Sequence, residues 1–173
     1  MSAAPRARSF APEEWRTYRD LRLAALADSP DAFGSTLARE NGHEDERWSS
    51  RLAAAVASDL DLPLVAEVGP EPGGLAWARI DPAELEVVHL FQMWVSPESR
   101  GLGAGSTLLA SVVAWLRSLN AASLGLRVTC DNTPARRFYE RAGFLTRGQP
   151  EPLRPGSSVL VQPMHLDIGE PGA

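Results

Sequence analysis

The stretch "ESRGLGAGSTLL", Glu98 to Leu109, decides how the rest of the chain is read. Gly101, Gly103 and Gly105 alternate in it, with Arg100 before them and an apolar helical pattern after. Three uses of such a loop compete. A dinucleotide fingerprint needs G-x-G-x-x-G in a tight turn off a strand and an acidic residue about 20 positions on. Here the third small residue is Ser106, and Ser96 to Ser99 intervene between Val95, the strand end, and Arg100. The acidic residue is missing as well; "SLNAAS" stands in its place. A Walker loop needs Gly-Lys-Ser/Thr, and all 17 basic residues are arginine. The third use is a helix start. Free N–H groups at a helix N-terminus carry roughly half a positive charge, and glycine lets an anion approach the backbone. Arg100 can add a charge-assisted contact. The loop alone leaves two outcomes open: an anion cradle, or a glycine-rich helix start without a ligand.

Outward from the loop, "LEVVHLFQMWV" (Leu85 to Val95) reads as a long strand after the turn "DPAE", ended by Pro97. Leu108, Leu109, Val112, Val113, Leu116 and Leu119 form one face of the helix that starts at Gly103. "LGLRVTC" (Leu124 to Cys130) is the next strand. "NTPARRFYERAGF" is a short helix, capped by Asn132 or Thr133, opened by Pro134 and closed by Gly143. Upstream, "LPLVAEV" and "LAWARI" flank the hairpin-type connection "GPEPGG". Before them come a short strand near Arg8 to Phe10, a helix from Pro12, a break at "DSPDAFGS" and a helix over Asp45 to Ala57. "VLVQPMHLDI" (Val159 to Ile168) is the last strand, with Pro163 suggesting an edge or a bulge. The order predicts an α/β (α+β) domain on a mixed sheet. No repeat or linker divides it, so residues 6–168 are expected to form one domain with loose ends at 1–5 and 169–173.

Composition narrows the function. The chain has 173 residues, 44% hydrophobic and 23% charged, enough for one ordinary core. A net charge of -5 without a long basic stretch disfavours nucleic acid. No apolar run approaches the ~20 residues of a membrane span, and no signal peptide is read at the start. A single cysteine, Cys130, rules out an internal disulfide and fits a reducing compartment, so the expected location is the cytoplasm.

Two motifs in order break the tie over the loop. "RGLGAG" fits [Q/R]-x-x-G-x-[G/A] through Arg100, Gly103 and Gly105. About thirty residues on, "NTPARRFYERAGF" fits N-x-x-A-x-x-[FL]-Y-x-x-x-G-F. Together they resemble the GNAT N-acetyltransferase superfamily, over Leu62 to Phe144. "LRLAALADSPDAFGST" also looks like the opening of bacterial small-substrate members. The resemblance implies a GNAT-like domain: a mostly antiparallel sheet flanked by helices, with a splayed parallel strand pair holding acetyl-CoA.

It also implies roles for matching residues. Arg100, Gly101, Leu102, Gly103, Ala104, Gly105 and Ser106 match the loop that holds the pyrophosphate. Met93 and Val95 match the backbone positions that pair with the pantetheine arm, and an N–H near Met93 can stabilise the oxyanion. Asn132 matches a pantetheine contact, although a plain N-cap would also explain it. Tyr139 matches the acid that protonates the departing thiolate; packing on an amphipathic helix is the other explanation. Phe138 is available for the neighbouring core position, and Phe144 reads as core.

The implied reaction is direct attack of a primary amine in a ternary complex, which needs a base or a water chain. His89, Glu84 and Glu86 are at hand. Alternation places His89 on the face of Phe91 and Met93, and a packed or solvated histidine is the competing reading. His43 and His165 have no supporting motif. Cys130 reads as a small buried residue rather than a nucleophile, and no metal site is expected. The acceptor is a small amine or a protein N-terminus, and a homodimer is allowed. The alternative is a non-catalytic acyl-CoA-binding or sensing domain.

Overall fold

A computed structural model describes residues 3–169 of the chain. The expected loose ends lie for the most part outside these residues. Eight strands form one sheet in the order β1-β2-β3-β4-β5-β8-β6, with β7 also on β8. They are β1 (Arg6–Ser9), β2 (Asp61–Val68), β3 (Glu71–Ile80), β4 (Val87–Val95), β5 (Ser123–Thr129), β6 (Leu145–Thr146), β7 (Glu151–Pro152) and β8 (Leu160–Asp167). The helices are α1 (Trp15–Asp28), α2 (Leu37–Asn41), α3 (Asp45–Ala57), α4 (Ala104–Ser118) and α5 (Thr133–Arg141). Every pairing is antiparallel except β4 with β5. The mixed, mostly antiparallel α/β sheet read from the sequence is therefore the observed one.

Each sheet face is covered by a separate cluster. On one face, Val88 and Leu90 of β4 and Leu124, Leu126 and Val128 of β5 pack with Leu108, Val112 and Leu116 of α4, and with Tyr139 and Phe144 at α5. On the other, Trp77 and Trp94 pack with Tyr18, Leu21 and Ala25 of α1 and Trp48 and Leu52 of α3. Leu119, placed on the buried face of α4 by periodicity, is instead exposed at the helix end.

Three local readings are corrected. The hairpin turn between β2 and β3 is only Gly69–Pro70; the other residues of "GPEPGG" already belong to β3. β8 is not an edge, since β5 lies on one side and β6 and β7 on the other. Pro163 is tolerated because its carbonyl accepts the N–H of Arg147 on the side of β6, so the missing N–H faces the gap between β6 and β7. The third concerns β4. Trp77 pairs with Phe91 and Leu75 with Trp94, so Gln92 and Met93 together oppose Ala76. This is a β-bulge, with Gln92 in left-handed backbone at φ 56°. The bulge shifts the alternation. Met93 joins Val88 and Leu90 on the α4 face, opposite to His89 and Phe91.

Candidate active site

β4 and β5 are paired only from Val87↔Ser123 to His89↔Gly125. Beyond that point each stays with its other neighbour, β4 with β3 to Val95 and β5 with β8 to Thr129. The strands therefore splay, and main chain on both sides of the gap lacks a sheet partner. A cleft of about 780 Å³ opens there. Gln92 and Met93 line one wall, Leu126 and Thr129 another, and Asn132 and Tyr139 of the α5 segment a third.

The glycine loop follows β4 through a turn at Pro97–Ser99. Gly101 and Gly103 sit at φ 75° and 91°, which side chains rarely adopt, and Gly103 is the N-cap of α4. None of the six N–H groups from Gly101 to Ser106 bonds to a described backbone acceptor. Adjacent donors without a described backbone partner, at the positive end of a 15-residue helix, are suited to hold an anion. Gly105 needs no special backbone; its Cα faces the Phe138 ring and Val95.

Arg100 departs from its expected place. Its Nη2 is 2.6 Å from Asp28 Oδ2, its Nε donates to the Val95 carbonyl, and its N–H bonds to Pro97. The guanidinium ties the loop to the end of α1 instead of standing free for an anion. Asp28 also accepts from Trp94 Nε1 at 2.9 Å and from Ser29 Oγ at 2.7 Å. The Trp94 and Ser29 bonds, with Arg100 beside them, hold its carboxyl down to about 2.

Asn132 caps α5, its Oδ1 accepting from the Ala135 N–H at 3.2 Å, and it lines the cleft as well. Its amide nitrogen remains available. Tyr139 is buried, with its ring edge-on to Phe138 and Phe144. No described group hydrogen-bonds its hydroxyl, and burial pushes its proton affinity up. It stays protonated across neutral pH, as a proton donor must.

His89 lies on the cleft wall, half exposed, with Nε2 3.5 Å from Asp81 Oδ2. The shared face with Met93 is lost to the bulge. His89, Gly125 and His165 stand in a row across β4, β5 and β8. A Cβ on Gly125 would lie 3.4 Å from His89 Nδ1, so glycine keeps the space between the imidazoles open. His165, which no motif singled out, thus reaches the cleft. Glu84 also lines it, whereas Glu86 does not. Cys130 is half-buried rather than buried.

The segment "DSPDAFGS" crosses the cleft front. The Asp31 carbonyl accepts from Thr129 Oγ1, and that of Phe33 from Arg154. Behind it, Arg22 of α1 and Glu40 of α2 form an ion pair that the sequence reading missed. The available signal was Arg22 itself, a charge among the inward positions Tyr18, Leu21, Ala25 and Leu26. Among the described residues no helix is long and apolar enough to cross a membrane. No cluster of three His, Cys, Asp or Glu side chains there could hold a metal.

A free helix N-terminus beside a splayed parallel pair is the geometry of a family, and the model of the acetyltransferase (GNAT) family matches residues 10–144. The chain belongs to that family. Streptothricin acetyltransferase of Streptomyces lavendulae is similar, at 34% identity over 130 residues, 75% of this chain and 61% of that protein. Mycothiol acetyltransferase of Clavibacter sepedonicus is 28% identical over 136 residues, 79% of this chain and 41% of that protein. This GNAT chain spans about two fifths of the length of the mycothiol acetyltransferases it matches. A Salmonella typhimurium structure solved with its cofactor acetyl-CoA has a TM-score of 0.79 at 17% identity, covering 99% of this chain and 98% of that one. That likeness is one of GNAT fold.

Proposed function

We propose that residues 6–168 form an N-acetyltransferase that moves the acetyl group of acetyl-CoA to a primary amine by direct attack in a ternary complex. The observation that carries this reading is the row of free N–H groups from Gly101 to Ser106 beside the gap between β4 and β5. The fit is chemical. The nest suits a pyrophosphate, and the two unpaired strand edges suit an amide-bearing arm that pairs as another strand would.

Acetyl-CoA supplies the acetyl group as a thioester; the remaining work falls to this chain. The N–H groups of Gly101 to Ser106 bind and orient the diphosphate. Main chain of Met93 and Val95 positions the arm, and the bulge aims a backbone donor at the charge that develops on oxygen. Asn132 offers its amide to the arm. Tyr139 delivers its proton to the leaving sulfur. His89, held beside Asp81, takes the proton of the amine directly or through water, with Glu84 on the same cleft. The acceptor is a small amine or a protein N-terminus.

Acetyl-CoA-dependent thiol release over a panel of primary amines tests the reading. Release above the no-amine rate, with the acetylated amine recovered, supports it. Tight acetyl-CoA binding without release from any amine points to an acyl-CoA-binding domain. Silent acetyl-CoA with tight NAD(H) binding overturns the assignment.

A further inference from the structure

Gln92 sits at the bulge of β4, in left-handed backbone at φ 56°, and its side chain is pinned at one end. Its Oε1 accepts the Tyr18 hydroxyl of α1 at 2.8 Å. Tyr18 is only 1% exposed, with its ring packed against Phe10, Trp48 and Trp77. Burial raises its proton affinity, against the positive charges of Arg51 and Arg22 nearby, so the hydroxyl stays protonated. A hydroxyl hydrogen turns away from positive charge, so Tyr18 donates to Gln92, and Gln92 meets it through oxygen. The amide therefore turns its Nε2 the other way, with donors and no acceptor.

Those donors are open. Among the described residues, the side-chain polar atoms sealed from solvent without a partner are Arg22 Nη1, Arg51 Nη1 and His165 Nδ1. Gln92 Nε2 is not sealed, and no described group accepts from it. Gln92 is half-buried, and the cavity it lines is the cleft. The face is defined too. Through Tyr18, Gln92 reaches the cluster under α1 and α3, on the side where Phe91 stacks on Trp77 and His89 stands. Met93, the next residue, packs on the α4 side. An arm paired between β4 and β5 as another strand would lie in the plane of the sheet. Nε2 then stands off that plane on the His89 side, where an amine must enter to pass its proton to His89.

We propose that the acceptor carries, close to its amine, an oxygen that accepts a hydrogen bond, and that Nε2 of Gln92 donates to it. The class is an amine with a carbonyl or ether oxygen a few bonds from its nitrogen, as in an aminoacyl group, as opposed to a hydrocarbon amine. This rests on the acetyl-transfer reading above and narrows its acceptor from amines at large. Gln92 is a specificity residue here, and Tyr18 a positioning residue that acts through it. An analogue without the oxygen leaves the amide unpaired in the closed complex, which is the source of the selectivity. A group that only donates cannot hold a second ammonium, so a polyamine gains nothing from this contact.

The test separates the contact from catalysis. Calorimetry on the CoA-saturated protein compares uncharged pairs that exchange a single oxygen for carbon: N-acetylaminoacetone with N-isobutylacetamide, and N-methoxyethylacetamide with N-butylacetamide. The readout is the affinity ratio of the oxygen-bearing member to its hydrocarbon partner, which cancels effects common to both. Gln92→Glu keeps the shape and the bond from Tyr18 but turns an acceptor toward the ligand. In at least one pair the ratio is expected to fall about 10-fold from wild type to Gln92→Glu, and by a smaller factor in Tyr18→Phe, which frees the amide to turn. Retained CoA binding is the folding check, and Gln92→Leu, which has no donor, repeats the test if Gln92→Glu fails that check. A ratio unchanged in both pairs overturns the proposal, as does failure of the wild-type protein to bind either oxygen-bearing compound. A ratio in Tyr18→Phe equal to that of wild type overturns the positioning role. Thiol release from isobutylamine or butylamine together with an unchanged ratio would sink the Gln92 contact and leave acetyl transfer standing. A Gln92-dependent ratio without thiol release from any amine would do the reverse.

Discussion

The proposed donor side of the cleft is built from main chain: the N–H groups from Gly101 to Ser106, none bonded to a described backbone acceptor, and the edges of β4 and β5 beyond their paired residues. The wall proposed to face the acceptor is lined by side chains: Arg22 of α1 backed by its ion pair with Glu40, His89 and His165 from two strands, and Phe33 from the crossing segment. A main-chain site is tolerant of most side chains and strict about a few backbone conformations. A side-chain site is the opposite. The two walls should therefore break in different ways.

The largest break is expected from Gly103→Asp. The residue sits at φ 91°, and the substitution adds backbone strain and a negative charge at the mouth of the nest. Acetyl-CoA binding is expected to vanish in calorimetry. A folded variant with normal affinity would place the cradle elsewhere. On the opposite wall, Glu40→Ala leaves Arg22 buried without its counter-ion. Unfolding in denaturant is expected to show a loss of about 3–5 kcal/mol. A loss under about 1 kcal/mol would mean that Arg22 escapes to water, and the two walls would then differ less than the geometry implies.

Tyr139→Phe keeps the ring and its packing. Acetyl-CoA affinity is expected to hold while kcat falls about 10- to 1000-fold, with KM moving less. An unchanged kcat where chemistry limits turnover would leave Tyr139 as packing alone.

The smallest effect belongs to the latch between the walls, Trp94–Asp28–Arg100. Asp28 is partly exposed, so Asp28→Asn is expected to cost under about 1 kcal/mol. Its sign with pH is defined. The carboxyl is held down to about 2, so its stabilising contribution is present above the ordinary carboxylate range near 4 and fades as pH falls through about 2. The gap in Tm between wild type and Asp28→Asn should narrow over that window. A gap constant across it would remove Asp28 as the hub.

This difference in material also explains what could be read from the chain. Glycine in left-handed backbone and Asn-Thr-Pro at a helix start are written in residue type, so the loop conformation and the α4 and α5 boundaries were legible. The hairpin turn was misplaced because Glu71 to Gly74 are poor strand formers that the ladder nevertheless recruits. The bulge at Gln92 left no trace, since neither Gln nor Met advertises it, and it moved Met93 to the other face. Arg100 looked free because Asp28, its partner, is 72 positions away. Glu40 lies on a five-residue helix too short for any period to show.

The central claim is that acetyl-CoA lies in the gap between β4 and β5. A crystal structure with CoA tests it most directly. The account predicts the diphosphate on the N–H groups of Gly101 to Ser106 and the arm between Gln92–Val95 and Leu126–Thr129, with the sulfur facing the Tyr139 hydroxyl. A diphosphate bound away from that nest, or an arm outside the gap, would contradict it.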